Sequence, residues 1–129
     1  MENYVSDAVA FLHLLKDNLP DKADKAFKRA EEGEAVIYLP TIAAAELYHL
    51  FEKKGWIEWW NRLTSKMSKA PTFRYYPFNE KVLNLFRTTK AIEIHDKIII
   101  STAKAVKADA LITKDKDIIK LGEVTTFWL

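Results

Sequence analysis

The chain has 129 residues, with 20 Lys and Arg against 18 Asp and Glu and no cysteine. This length fits one domain, residues 1–129, able to bury about two-thirds of its unfolded surface. The lack of cysteine excludes thiolate metal sites, a cysteine nucleophile and a disulfide framework, and the net charge of +2 argues only weakly for nucleic acid.

No apolar run reaches membrane-spanning length. The opening "MENYVSDAVAFLHLL" carries an acid where a secretory signal has a basic segment. A soluble, cytoplasmic protein without membrane contact is expected.

In chain order, "NYVS" predicts a short first strand. "DAVAFLHLLK" follows as a helix with Val9, Leu12 and Leu15 at helical spacing, and "LPDKADKAFKRAEEG" as a charged helix ended by Gly33. "EAVIYLP" has the length and branching of a buried strand. "TIAAAELYHLFEKKG" predicts a helix closed by Gly55, and "WIEWWNRLTSKMSKA" another closed by Pro71. "TFRYYPF" alternates like a strand, and "NEKVLNLFRTTK" is helical behind an Asn cap. "HDKIIISTAKAV" is expected to be helical despite its isoleucines, with Lys97, Ser101 and Lys104 on a wet face. "DALIT" and "VTTFWL" are the last two strands, joined through a turn at "TKDKD".

Five strands separated by helices predict a parallel sheet covered on both faces, with right-handed crossovers. Glycine occurs only three times. Neither GxGxxG nor GxxxxGK[ST] is present, which excludes dinucleotide and P-loop readings.

The carboxylates then stand out. Asp7 ends the first strand and Asp115 follows the fourth. Glu46 lies in the helix after the second strand, and these three project toward the carboxyl edge, where open parallel sheets bind ligands. Asp96 opens the helix before the fourth strand and joins them if that helix runs antiparallel to the sheet. Glu46 has Ile42, Ala43 and Leu50 as helix neighbours, so it calls for a cation, a lysine partner or a place on a rim. Asp7 and Asp96 each read equally as helix N-caps, and Asp115 or Asp117 as turn residues. Independent caps have no reason to converge on one edge, so the combination carries the signal.

These residues resemble the PIN-domain ribonucleases, in particular the small VapC-like toxins of type II toxin–antitoxin pairs. The resemblance runs through "YVSDAVAFLHLL", "LPTIAAAEL", "IHDKIIISTA", "ADALITKDKDI" and a final strand. It implies an α/β fold, a three-layer αβα domain with a five-stranded, mainly parallel central sheet. It also implies that Asp7, Glu46, Asp96 and Asp115 are the four acids that hold Mg²⁺ or Mn²⁺ and cut RNA, with Thr113 in the family's TxD turn and Thr102 at a small hydroxyl position. An antitoxin partner and a homodimer follow from the same likeness. The chain departs from the family pattern at Ala8 and Val9, where many members carry a hydroxyl after the first Asp.

The chemistry is coherent. Mg²⁺ and Mn²⁺ favour oxygen ligands, paired metals activate water and stabilise charge on phosphate, and clustered carboxylates raise one another's pKa. Lys97, Lys114, Lys116 and Thr113 are the candidate substrate contacts; for each lysine a solvated role is the plain alternative. His95 and His49 suit capping or support of the acids, since no histidine pair has zinc-ligand spacing. His13 is expected to pack or to face water. Trp56, Trp59 and Trp60 form one helical stripe, either core or partner interface.

Three functions compete. The first is a metal-dependent endoribonuclease toxin. The second is a phosphotransfer protein, disfavoured because "TFRYYPF" ends without a receiver aspartate and "DAV" lacks the DxD of a haloacid-type phosphatase. The third is a catalytically silent PIN-like scaffold that binds RNA or a partner.

Overall fold

A computed structural model describes residues 1–129. The sheet has five strands: β1 (Glu2–Ser6), β2 (Ala35–Pro40), β3 (Phe73–Tyr76), β4 (Ala110–Ile112) and β5 (Thr126–Phe127). Their order is β3-β2-β1-β4-β5, and every neighbouring pair is parallel. Seven helices connect them: α1 (Ala8–Leu15), α2 (Asp21–Glu31), α3 (Thr41–Lys54), α4 (Ile57–Lys69), α5 (Glu80–Asn84), α6 (Ile94–Ala105) and α7 (Lys116–Leu121). A 3-10 turn at Leu85–Thr88 extends α5.

The three central strands explain the apolar runs in the sequence. β4 is buried throughout, β2 at all positions but Tyr38, and β1 from Tyr4 onward. A strand covered on both faces cannot alternate polar and apolar residues. Phe11 of α1 sits edge-on to Phe27 of α2 at 6.2 Å and to Phe73 of β3 at 6.4 Å. Such pairs add about 0.5–1.5 kcal/mol each beyond their burial.

Helix ends follow local chemistry. Asn79 caps α5 by accepting from the Val82 N–H at 3.0 Å, as read from sequence. Gly55 closes α3 at φ +72°, and Gly122 closes α7 at φ +63°, the left-handed backbone that glycine adopts without a Cβ penalty.

The α7 helix is a correction, because "TKDKD" leads into six helical residues rather than a simple turn. A second correction concerns the α6 wet face. Ser101 is fully buried, and Lys97 and Lys104 are half-buried. Lys104 reaches Glu123 at 2.9 Å and the Thr88 carbonyl at 3.0 Å, so this flank is closed by an ion pair rather than by water.

The tryptophan stripe divides. Trp59 and Trp60 pack against the main core, Trp60 edge-on to Tyr48 at 5.0 Å and Trp59 beneath Arg62 at 4.6 Å. Trp56 precedes α4 and is exposed. No helix is long and apolar enough to cross a membrane.

Candidate active site

Strand order dictates where the site forms. The chain lays β1, β2 and β3 outward in one direction, then returns to place β4 on the other side of β1. Connections diverge between β1 and β4 at their carboxyl ends, leaving a crevice. Ser6 pairs with Ile112 there, so the residues that follow, Asp7 and Thr113, emerge side by side.

Asp7 caps α1, with Oδ1 accepting from the Ala10 N–H at 2.8 Å. Asp115 caps α7, with Oδ1 accepting from the N–H groups of Asp117 at 2.9 Å and Ile118 at 3.2 Å. Thr113 ties the two together. Its hydroxyl donates to Asp7 Oδ2 at 2.5 Å and accepts from the Asp115 N–H at 3.0 Å.

Asp96 comes from the first turn of α6, and Glu46 from α3. Asp7, Glu46, Asp96, Asp115 and His95 line one cavity of about 100 Å³, whose apolar wall includes Val9 and Ile99. The convergence expected at this edge therefore extends to Asp96.

Burial raises these carboxyls first, and like charge adds to it. Burial pushes the Asp7 carboxyl up; hydrogen bonds from Thr113 and Ala10 oppose this, and Asp115 adds to it. Asp96 is pushed up to about 6, first by loss of solvent and then by Asp115, Glu93, Asp117 and Asp7. Glu46 is raised by desolvation, with His95 pulling it back and Glu93 and Asp7 pushing it higher. Each shift disfavours the ionised form, first through burial and then through neighbouring carboxylates.

All donors on these acids are carboxylate oxygens, the set that hard divalent cations favour. The side chains ring the cavity rather than closing on one point, and no three acid or histidine groups are drawn together into a ready-made metal cage. By ligand chemistry the residues fit such a cation, which would draw the raised carboxyls into their ionised form.

Several expectations change in detail. Glu46 is exposed on the rim, because the buried stripe of α3 runs through Ala43, Ala44, Leu47 and Phe51 and Glu46 lies beside it. Asp96 is not a cap; Glu93 caps α6 by accepting from the Asp96 N–H at 2.9 Å. Thr113, expected to touch substrate, is 0 % exposed, and its hydroxyl is occupied by Asp7 and Asp115, so it positions acids instead. Thr102 is buried too and donates to Ile98 O within its own helix.

Lys114 and Lys116 are exposed and line an adjoining cavity of about 460 Å³ with Asp7, Asp115 and Asp117. Lys97 is half-buried and lines neither cavity. Asp117 borders the larger cavity but not the one shared by the four acids. Val9, at a position where many PIN domains carry a hydroxyl, is exposed at the mouth of both.

Sequence reasoning missed Glu93. Its Oε1 meets His95 Nδ1 at 2.6 Å. Burial would raise the Glu93 carboxyl, but backbone N–H groups and His95 hold it low. The same contact raises the His95 pKa against the opposing effect of burial. The available signal was the spacing "ExxD" at the start of α6, an acid three residues before a first-turn N–H. His49 is exposed, and His13 packs edge-on to Trp128 at 5.3 Å.

The PIN domain family model matches residues 4–124, and the chain belongs to that family. Among solved structures, the fold is similar to that of a chain in VapBC2 from Rickettsia felis bound to a DNA fragment from their promoter. The identity is 18% over 97% of each chain, with a TM-score of 0.76. A chain of FitAcB from Neisseria gonorrhoeae is 21% identical over 96% of each chain, at a TM-score of 0.70. A toxin-antitoxin complex from Klebsiella pneumoniae is 19% identical over 98% of this chain and 99% of that one, at a TM-score of 0.64. At these identities the likeness speaks for the fold. A search of curated proteins gives no match.

Proposed function

We propose that this PIN domain is a metal-dependent endoribonuclease that cleaves single-stranded RNA and serves as the toxin of a toxin–antitoxin pair. The observation that carries the nuclease reading is the gathering of four carboxylates from four elements around one cavity at the β1/β4 crevice. Family membership supports it, and the exposed Lys114 and Lys116 beside the acids suit a phosphate backbone.

Asp7, Glu46, Asp96 and Asp115 would hold Mg²⁺ or Mn²⁺, which supplies an activated water and neutralises charge on the phosphate. Thr113 keeps Asp7 and Asp115 in a fixed relation. Glu93 orients His95 at the cavity wall and anchors the first turn of α6, from which Asp96 projects. Lys114 and Lys116 attract the RNA backbone, and acids gathered around a crevice favour a strand flexible enough to bend into it. The toxin role and an antitoxin partner rest on the kind of complexes in which the similar folds occur, and a homodimer rests on the family resemblance alone.

The decisive experiment incubates purified protein, freed of any bound partner, with single-stranded RNA and Mn²⁺ or Mg²⁺. Cleavage should appear and stop on addition of EDTA. RNA that binds but is never cut, across metals and substrates, would leave the silent scaffold as the correct reading.

A further inference from the structure

A third cavity, of about 520 Å³, opens on the far side of Asp96 and Asp117. It is within the size range of sites that enclose small organic groups. Asp96 is also a wall of the four-acid cavity, and Asp117 of the cavity beside it, so the third cavity adjoins both. The walls it does not share are different in kind. They are Lys90, Ala91, Ile92, Glu93, Lys120 and Leu121.

Two features of those walls require explanation. Ile92 is 95 % exposed, in the loop before α6, and Leu121 is exposed at the end of α7. A branched aliphatic side chain held almost wholly in water forgoes its burial energy. The lysines are also free: Lys90 and Lys120 are exposed and enter no ion pair. By contrast, the Glu93 carboxylate is already engaged by His95 Nδ1 and the Asp96 N–H. The unshared wall therefore offers apolar surface and two unpaired cations, directly beside the candidate metal ligands.

Building on the nuclease reading, we infer that this cavity is a nucleobase subsite for the nucleotide next to the scissile phosphate of single-stranded RNA. Ile92 and Leu121 pack against the faces of the base. Lys90 and Lys120 meet the flanking phosphates. A base is the occupant because it is flat and apolar on its faces while its chain carries negative charge at each end, which matches this pairing of surfaces. The loop at Ile92 is held in place for the role: Lys90 N–H donates to Glu123 Oε2 at 2.8 Å, and Lys104 binds Glu123 Oε1 at 2.9 Å.

The test uses full-length protein carrying Asp115→Asn, so that RNA is bound without being cut; Asn preserves the N-cap of α7. Fluorescence anisotropy is recorded with a labelled single-stranded oligonucleotide and with a series in which one nucleotide at a time is abasic. One abasic position should weaken binding about tenfold, because Ile92 and Leu121 then lose the apolar surface that covers them. Ile92→Ser with Leu121→Ala should bind intact RNA about as weakly and lose all sensitivity to that abasic position. Lys90→Ala and Lys120→Ala should each lower affinity for every oligonucleotide and flatten the logarithmic salt slope by about 0.7. Circular dichroism should show these exposed substitutions folded.

The inference is overturned if no abasic position matters, if RNA does not bind, or if the Ile92 and Leu121 substitutions leave binding unchanged. It is also overturned if they alter only the molecular mass seen by light scattering, which would make the patch a protein contact. Wild-type protein with Mn²⁺ that cuts RNA but fails these arms leaves the nuclease reading standing. A base-sensitive binder that never cuts would instead remove the nuclease reading and leave the subsite.

Discussion

Two clefts of this molecule use the same residue types to opposite ends. The groove between α2 and α4, about 760 Å³, is lined by acids and bases in alternation, including Asp24, Lys28, Glu31, Arg62 and Lys66. Lys28 pairs with Asp24 at 2.8 Å and Lys66 with Glu31 at 3.2 Å. The β1/β4 crevice holds four acids facing one another, and its lysines, Lys114 and Lys116, have no acidic partner. The net charge of +2 for the whole chain conceals this, because it averages a balanced groove with a crevice in which four acids face two lysines. Charge left uncompensated at a place fixed by strand order marks the functional region, since folding alone has no use for mutual repulsion.

The sharpest way to break that comparison is to remove one acid from each cleft. Asp96→Asn should reduce RNA cleavage by more than the roughly 100-fold typical when groups supporting a metal site are lost. Mn²⁺ binding followed by calorimetry should weaken in parallel, with the circular dichroism unchanged. Asp24→Asn should leave both measurements as in the wild type. Unaltered Mn²⁺ binding in Asp96→Asn would remove Asp96 from the ligand set.

Next in size is the threonine beneath the acids. Thr113→Val keeps the shape of the side chain but strips the Asp7 carboxylate of a donor and the Asp115 N–H of its acceptor. An unfolding titration should show a loss of about 1–3 kcal/mol, the range for leaving buried polar groups unsatisfied. Cleavage should fall as well, because Asp7 and Asp115 lose their common tie. A variant as stable as the wild type would show that water replaces the hydroxyl.

A pH series sharpens the contrast further. Asp96 titrates near 6 in the folded, metal-free protein against an ordinary 3.8, and Asp7 and Glu46 shift the same way. The folded state therefore holds these protons more tightly than the unfolded state. The stabilising contribution is complete below about pH 4 and is lost as pH rises through about 6. Glu93 and Glu123, whose carboxyls are held low, contribute in the opposite direction, so the effect is read against Asp96→Asn: metal-free wild type should lose stability relative to that variant across the interval, and Mn²⁺ should reverse the difference. The same slope from pH 4 to 6 in EDTA for wild type and Asp96→Asn would contradict the raised Asp96 carboxyl.

The two regions also differ in how far the sequence exposes them. Apolar runs and caps place β1, β2 and β4 and most helices, and Asp7 and Asp115 come with the strands they terminate. What escapes is set by short-range competition. "KDIIKL" is too short for a helical period to stand out, so α7 stays hidden behind the turn signal of "TKDKD". Ser101 looks like a wet-face residue because a small hydroxyl is as common on surfaces as in tight helix packing, and only tertiary contact distinguishes the two. Glu93 resembles any loop acid until α6 starts at Ile94 and brings the N–H of Asp96, three residues on, to its carboxylate. The lysines Lys90 and Lys120 lie thirty residues apart along the chain, and only the packing of α7 beside the loop before α6 makes them walls of one cavity.

The smallest effect belongs to the compensated groove. Lys66 reaches Glu31 at 3.2 Å while its ammonium lies 5.5 Å from the Phe73 ring centre. Both partners are partly exposed, so water already screens the pair, and such contacts contribute about 0.2–1 kcal/mol. Lys66→Met keeps the apolar stem over Phe73 and removes only the charge. Combined with Glu31→Gln in a double-mutant cycle, it should give a coupling below about 1 kcal/mol in urea unfolding, less than the loss from Thr113→Val. RNA cleavage should be unchanged, because no residue of this groove borders the acid cavity. A coupling larger than the Thr113 effect, or a tenfold fall in cleavage, would mean that balanced charge in this groove is as consequential as unbalanced charge in the crevice. Local compensation would then no longer separate scaffold from site.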